Sequence, residues 1–232
     1  MQIDIEYLTK SYQSLQVIDI KALSIPQGQA FGLVGNNGAG KTTLFRLILD
    51  LVKTDSGSII SGGVDVSESE SWKFHTGSYL GEEFLIPFLT AEEYFHFIGR
   101  TYQLDDATVE ERYRDYESFF SGEVLGQQKF IRDFSTGNKR KIGIVAALIV
   151  EPEVLILDEP FANLDPTSQQ RLVDILVNLK GDRSPTLLIS SHDLSNVTSV
   201  CDRIAVLELG DIVMDVDTGA DTLDKLESYF FN

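Results

Sequence analysis

The 232-residue chain has one cysteine, Cys201, so no disulfide can form within it and no cysteine-built metal cluster can be assembled. Long apolar runs are missing too. The longest, residues 142–150, is about half the ~20 residues that a membrane-spanning helix needs, so no segment is expected to cross a bilayer. Basic residues are scarce, with 19 Lys and Arg against 36 Asp and Glu and a formal net charge of −17. That balance repels polyanions at long range and removes the basic footprint of a nucleic-acid binder. It does not exclude a local phosphate site, which is built from backbone dipoles, one lysine and a cation. Residues 1–6 bring acids at once and lack the basic-then-apolar order of a secretory signal. The expectation is a protein that stays in the cytoplasm.

What is present is enough for a core, with 43% hydrophobic and 24% charged residues, and fits one globular unit. Alternation at Ile3, Ile5 and Tyr7, then Val17, Ile18 and Ile20, predicts short strands of a partly exposed sheet. Residues 30–34 are continuously apolar, as in a buried strand, and a glycine-rich stretch follows at once. Leu44, Leu47, Ile48 and Leu51 then keep helical spacing, predicting a helix over 41–51 with one buried face. The middle differs: 90–102 and 105–120 read as helices, the first opened by a Thr90/Glu93 capping box. Buried strands return at 154–157 and 186–189, and Pro166 after Asp165 suits a helix start between them.

Two motifs carry chemistry. Gly35-Asn36-Asn37-Gly38-Ala39-Gly40-Lys41-Thr42 satisfies G-x-x-x-x-G-K-[ST] between a buried strand and a helix. The glycines let the backbone wrap phosphate oxygens with its N–H groups, and the helix start presents its positive dipole end to the same anion. Lys41 is expected on the β- and γ-phosphates, the Thr42 hydroxyl on Mg²⁺, and Thr43 extends the nucleotide site. In the second motif, four apolar residues from Val154 end on Asp158 and Glu159. A strand that stops on carboxylates delivers them to the sheet edge where open α/β folds bind ligands. Asp158 is then the Mg²⁺ partner and Glu159 the general base that poises the attacking water.

At these residues the sequence resembles the ATP-binding subunits of ABC transporters, over essentially the whole chain. The resemblance implies an α/β phosphate-loop NTPase core of ABC type with an antiparallel β subdomain and a helical subdomain. It implies one domain over 1–232, with 1–84 and 152–232 as the core and 85–151 as the helical part. Phe134-Ser135-Thr136-Gly137-Asn138 stands at the family's signature, where Ser135, Gly137 and Asn138 would grip the γ-phosphate held by an opposite subunit. Asn163-Leu164-Asp165 resembles the D-loop, His192 the switch histidine on the γ-phosphate, and Tyr12 the aromatic that stacks on adenine.

Glu82 stands where the family has the Q-loop glutamine. A carboxylate there can still ligate Mg²⁺ and hold water, but it adds negative charge beside the triphosphate. Thr136 and Asn138 also depart from the signature. Ser135, Gly137, Glu159 and His192 remain, and a hydrolytically competent site is expected. The resemblance further implies ATP and Mg²⁺ as cofactors and a second ABC ATPase subunit, identical or related. It also implies a membrane-spanning permease seated beside Glu82 and residues 84–88, and a peripheral place on the cytoplasmic face of the membrane. With no appended regulatory segment, export is expected. The alternatives are a soluble ATPase acting on ribosomes or DNA, which the acidic charge disfavours, and a low-turnover nucleotide-dependent regulator.

Overall fold

A computed structural model describes residues 1–231. Its strands are β1 (Ile3–Tyr12), β2 (Leu15–Ile25), β3 (Ala30–Val34), β4 (Ser56–Ser61), β5 (Val64–Asp65), β6 (Thr76–Tyr79), β7 (Val154–Asp158), β8 (Thr186–Ser191), β9 (Arg203–Glu208) and β10 (Asp211–Asp217). Its helices are α1 (Lys41–Ile48), α2 (Ala91–Thr101), α3 (Asp106–Arg114), α4 (Glu117–Phe120), α5 (Thr136–Leu148), α6 (Pro166–Asp182), α7 (Leu194–Val200) and α8 (Thr222–Phe231). The strands form two sheets. One is antiparallel, in the order β2-β1-β4-β5; the other runs β10-β9-β3-β8-β7-β6 and is parallel except for β10.

The central strands β3, β7 and β8 of the six-stranded sheet are buried on both faces, which is why they read as nearly continuous apolar runs; β10, at the edge, is partly exposed. Period-2 geometry divides each strand between two cores. Ala30, Val34, Leu155, Leu157, Leu187 and Ile189 join the core shared with α2, α5, α6 and α7. Phe31, Leu33, Val154, Ile156 and Leu188 face the other way, onto α1 and the antiparallel sheet. The helical middle thus covers one side of the sheet and the β meander the other.

Helix ends follow local chemistry. Thr90 and Glu93 make the expected capping box, with the Glu93 N–H donating to Thr90 Oγ1 at 3.2 Å and the Thr90 N–H to Glu93 Oε2 at 2.9 Å. Asp165 caps α6 ahead of Pro166, accepting from the Ser168 N–H at 3.0 Å. The chain differs from the periodicity in three places. Tyr7 is 73% exposed, because a bulge against β4 sits between Glu6 and Thr9 and hands the inward position to Leu8. Helix α1 stops at Ile48 and Asp50 turns left-handed (φ 50°), which leaves Leu51 outside the helix and exposed. The helix expected over 105–120 is two helices, broken at Asp115 and Tyr116. At the C-terminal end Phe230 packs on the larger core, and the side chain of Phe231 lies outside the described residues.

Candidate functional site

The parallel strands deliver the predicted motifs to one edge of the sheet. β3 runs into the glycine loop, β7 ends on Asp158 and β8 on Ser191, while β6 leads through Leu80 and Gly81 to Glu82. Strand order matters here. β8 lies between β3 and β7, so its Ser190 is in register with Leu33 on one side and Asp158 on the other.

The loop is shaped by what its glycines allow. Gly40 has φ 111°, and a Cβ there would come within 2.6 Å of the Val17 carbonyl oxygen. At Gly35 a Cβ would meet the Leu207 carbonyl oxygen at 2.3 Å. α1 begins without a side-chain cap, so its first N–H groups are left to an anion. Lys41 is buried; its Nζ donates to the Gly35 carbonyl at 2.6 Å and lies 3.3 Å from Glu159 Oε1.

Asp158 is held from both neighbours. Thr42 Oγ1 donates to its Oδ2 at 2.6 Å, and Ser190 Oγ donates to its Oδ1. Burial pushes the Asp158 carboxyl above the ordinary carboxylate value, against the pull of those two hydroxyls. Glu159 adopts a left-handed φ of 48°, a strained conformation for a non-glycine residue, and its N–H donates to Ser190 Oγ at 2.9 Å. Its carboxylate spans two partners, Lys41 on Oε1 and His192 Nδ1 on Oε2 at 2.8 Å. Lys41, Thr42, Asp158, Glu159 and His192, read from distant parts of the sequence, thus form one connected set.

The donor set fits a hard cation. Asp158 and Thr42 supply oxygen only, and among the described residues no group of three or more His, Cys, Asp or Glu could hold a metal. Mg²⁺ is commonly bound this way, through one or two protein oxygens with phosphate and water completing its shell. Beside these residues lies a cavity of about 220 Å³ lined by Asn36, Asn37, Gly38, Ala39, Gly40, Lys41, Thr42, Thr43, Val17 and Glu159.

Two of its supports were not legible in the sequence. Val17 reaches the cavity from β2 through packing on Gly40, which leaves no local pattern. Ser190 had a weak signal, a hydroxyl at the end of an otherwise apolar strand. Tyr12 is not among the lining residues; it ends β1 with the Lys10 ammonium 5.5 Å from its ring centroid.

The other predicted residues lie elsewhere. Ser135 caps α5, accepting from the Asn138 N–H at 3.3 Å, and Asn138 Nδ2 donates to Glu123 Oε2 at 3.1 Å. Gly137 lies close to the D-loop: a Cβ there would sit 3.0 Å from the Asn163 carbonyl oxygen. None of Ser135, Gly137, Asn138 or Asp165 lines the cavity beside Lys41. The Ser168 hydroxyl and N–H hold the Asp165 carboxyl below the ordinary value. Glu82 opens a short 3₁₀ turn and lies 3.8 Å from Lys139 Nζ. In the segment after it, Leu85 is buried while Phe84 and Phe88 are exposed.

The chain resembles known proteins in sequence and in fold. A family profile described as "ABC transporter" matches residues 19–162. An uncharacterized ABC transporter ATP-binding protein of Synechocystis sp. is 34% identical over 213 residues, 89% of this chain and 59% of that protein. The linearmycin resistance ATP-binding protein LnrL of Bacillus subtilis is 33% identical over 222 residues, 95% of this chain and 70% of that protein. The chain therefore spans between about half and three quarters of these relatives' lengths. Among solved structures, an ATP-binding subunit of an ABC transporter superposes with a TM-score of 0.85 at 27% identity, covering 100% of this chain and 94% of the other. A dimeric, post-hydrolysis ATP-binding cassette with ADP and Pi, MJ0796, gives 0.83 at 19% identity over 94% and 99%, a likeness of fold.

Proposed function

Because the chain belongs to the ABC transporter family, we propose that it is an ATP-hydrolysing cassette that drives an export-type membrane transporter through ATP-dependent pairing with a second cassette. The observation that carries this reading is the Glu159 carboxylate, fixed between Lys41 and His192 and next to the Thr42–Asp158 contact. A base, an orienting histidine, a phosphate-binding lysine and a cation ligand are the parts that phosphoryl transfer to water requires.

MgATP, when bound, supplies the transferable phosphoryl group and the cation that neutralises its charge. The chain does the rest. Lys41 exchanges the Gly35 carbonyl and Glu159 for phosphate oxygens, and the N–H groups of the loop and of the first turn of α1 hold the same anion. Thr42 and Asp158 would hold the cation, with Ser190 fixing the carboxylate. Glu159, released from Lys41, takes the proton of the attacking water, and His192 Nδ1 keeps its other oxygen in place.

Ser135, at the tip of α5, would serve as a second anion site, since among the described residues it lies outside the cavity beside Lys41. A second cassette, identical or related, would bring its loop-bound triphosphate to that tip. Pairing would close on ATP and reopen on hydrolysis, a shift in populations driven by the ligand. Segment 85–151 would move as a helical subdomain carrying Ser135, and exposed Phe84 and Phe88 beside Glu82 would seat the permease. No helix among the described residues is long and apolar enough to span a membrane, so the cassette would reach the cytoplasmic face through that partner. LnrL's association with linearmycin resistance supports export.

The test is phosphate release by wild type and Glu159→Gln, with their size on a column in MgATP. Wild type should turn over, and the variant should bind ATP, lose turnover by ~10²-fold or more and accumulate as a dimer. Equal, slow rates with tight binding by both, and no dimer, would assign the chain to the regulatory class instead.

A further inference from the structure

We propose that Ser190 is a positioning residue that couples the cation ligand to the base: its hydroxyl ties the backbone of Glu159 to the carboxylate of Asp158, so that the base keeps its place only while Asp158 keeps its own. This rests on the reading of Glu159 as the general base of an ATP-hydrolysing centre and of Asp158 as a cation ligand.

Glu159 stands in a conformation that its sequence opposes. A residue ahead of proline is driven to extended backbone, and Pro160 follows here. A residue with a Cβ also rarely takes a positive φ, yet φ at Glu159 is 48°. Strain of this kind persists only where the surroundings over-determine it. Lys41 and His192 grip the carboxylate at the far end of the side chain. The backbone N–H goes to Ser190, donating to its Oγ at 2.9 Å and to its carbonyl oxygen at 3.2 Å.

The polarity of that contact is fixed. A serine hydroxyl carries one proton and two lone pairs. The Ser190 proton goes to Asp158 Oδ1, since a carboxylate oxygen accepts, and a lone pair of Oγ is left for the Glu159 N–H. Asp158 Oδ2 accepts in turn from Thr42 Oγ1 at 2.6 Å. One chain of hydrogen bonds therefore runs from the first turn of α1 through the cation ligand to the backbone of the base. Ser190 is fully buried, so no solvent stands in for its hydroxyl. The parallel ladder sets the pairing, with Ser190 of β8 opposite Asp158 of β7.

The variants are Ser190→Ala, which deletes the hydroxyl and keeps the backbone carbonyl, and Ser190→Thr, which restores it on a side chain suited to a strand. Binding of a fluorescent ATP analogue is titrated without Mg²⁺ and then against Mg²⁺, beside KM and kcat for phosphate release. Ser190→Ala should leave Mg²⁺-free affinity within about twofold of wild type, because it touches neither Lys41 nor the loop. The Mg²⁺ concentration that half-saturates the analogue complex should rise about tenfold, the scale of one hydrogen bond to a charged group. With the base displaced, kcat should fall by about tenfold or more, with little change in KM. Ser190→Thr should restore both. A packing defect would instead lower Mg²⁺-free affinity along with the rest.

A Ser190→Ala protein indistinguishable from wild type would overturn the proposal. So would equal losses in all the readouts, a change in Mg²⁺ dependence or kcat without the other, or a loss that Ser190→Thr does not reverse. If Ser190→Ala does not fold, Ser190→Cys, of similar size but a weak donor, decides by the same split. Wild type that neither binds the analogue nor releases phosphate would sink the functional reading itself, whereas wild type that does both beside an indifferent Ser190→Ala sinks only the role of the hydroxyl.

Discussion

The glycine-loop half of the site and the Ser135 half are built to opposite specifications. Around the loop every charged group is already engaged: Lys41 with Gly35 and Glu159, Asp158 with Thr42 and Ser190, Glu159 with His192. At the tip of α5 the Ser135 oxygen accepts one N–H, and nothing from the loop half reaches it. A preassembled set of partners costs little reorganisation at the moment of reaction. An open helix end is a receptor for something delivered from outside. On the proposed reading, the chain would keep the chemistry to itself and leave the signal for closure to a partner.

The sharpest way to break that comparison is to disable each half and ask whether a single chain notices. Lys41→Ala should weaken ATP binding by about 100-fold, since it removes a buried charge-assisted contact with phosphate, as read by equilibrium fluorescence at protein concentrations that hold it monomeric. Ser135→Ala, measured the same way, should change affinity less than about twofold while abolishing the ATP-dependent dimer of the Glu159→Gln protein. Equal losses in both variants would erase the division.

A smaller effect separates two aspartates. Burial raises the Asp158 carboxyl, whereas Ser168 lowers Asp165. A raised folded-state value means that the stability tied to Asp158 is full below its unfolded value of 3.8 and is lost as pH climbs through the folded one. For Asp165 the sign reverses, with stability present above the ordinary carboxylate range and lost as pH falls through the lowered value. In urea unfolding of nucleotide-free protein, Asp158→Asn should therefore gain on wild type as pH rises above 4, and Asp165→Asn should gain as pH falls below it. Parallel pH curves for the two would remove the contrast. The smallest expected change is Thr90→Ala, which breaks the α2 capping box and should cost about 1 kcal/mol in the same measurement without altering ATP affinity; a change in affinity would tie the helical segment to the loop half more closely than the hydrogen bonds do.

Much of this was legible because the motifs are local. A strand that ends in glycines or in paired acids announces both its burial and its position at the sheet edge, and the Thr90/Glu93 and Asp165–Pro166 signals set helix starts directly. What escaped was set by contacts between segments. Tyr7 follows the alternation of Ile3 and Ile5, yet a bulge dictated by β4 turns it outward. Val17 and Ser190 support the site only because distant strands pair in a particular register. The break at Tyr116 has no proline or glycine to mark it.

One property of α5 extends past its tip. From Arg140 to Leu148 every residue of the helix is buried, and close-packed interiors yield little under load. Just beyond its last turn Arg112 binds the Ile149 carbonyl at 2.7 Å and Glu151 at 2.9 Å, and Arg183 takes the same carboxylate. A push on the serine cap thus has no soft surroundings in which to dissipate. A load on that cap would therefore be carried along the helix toward a bracket of two arginines.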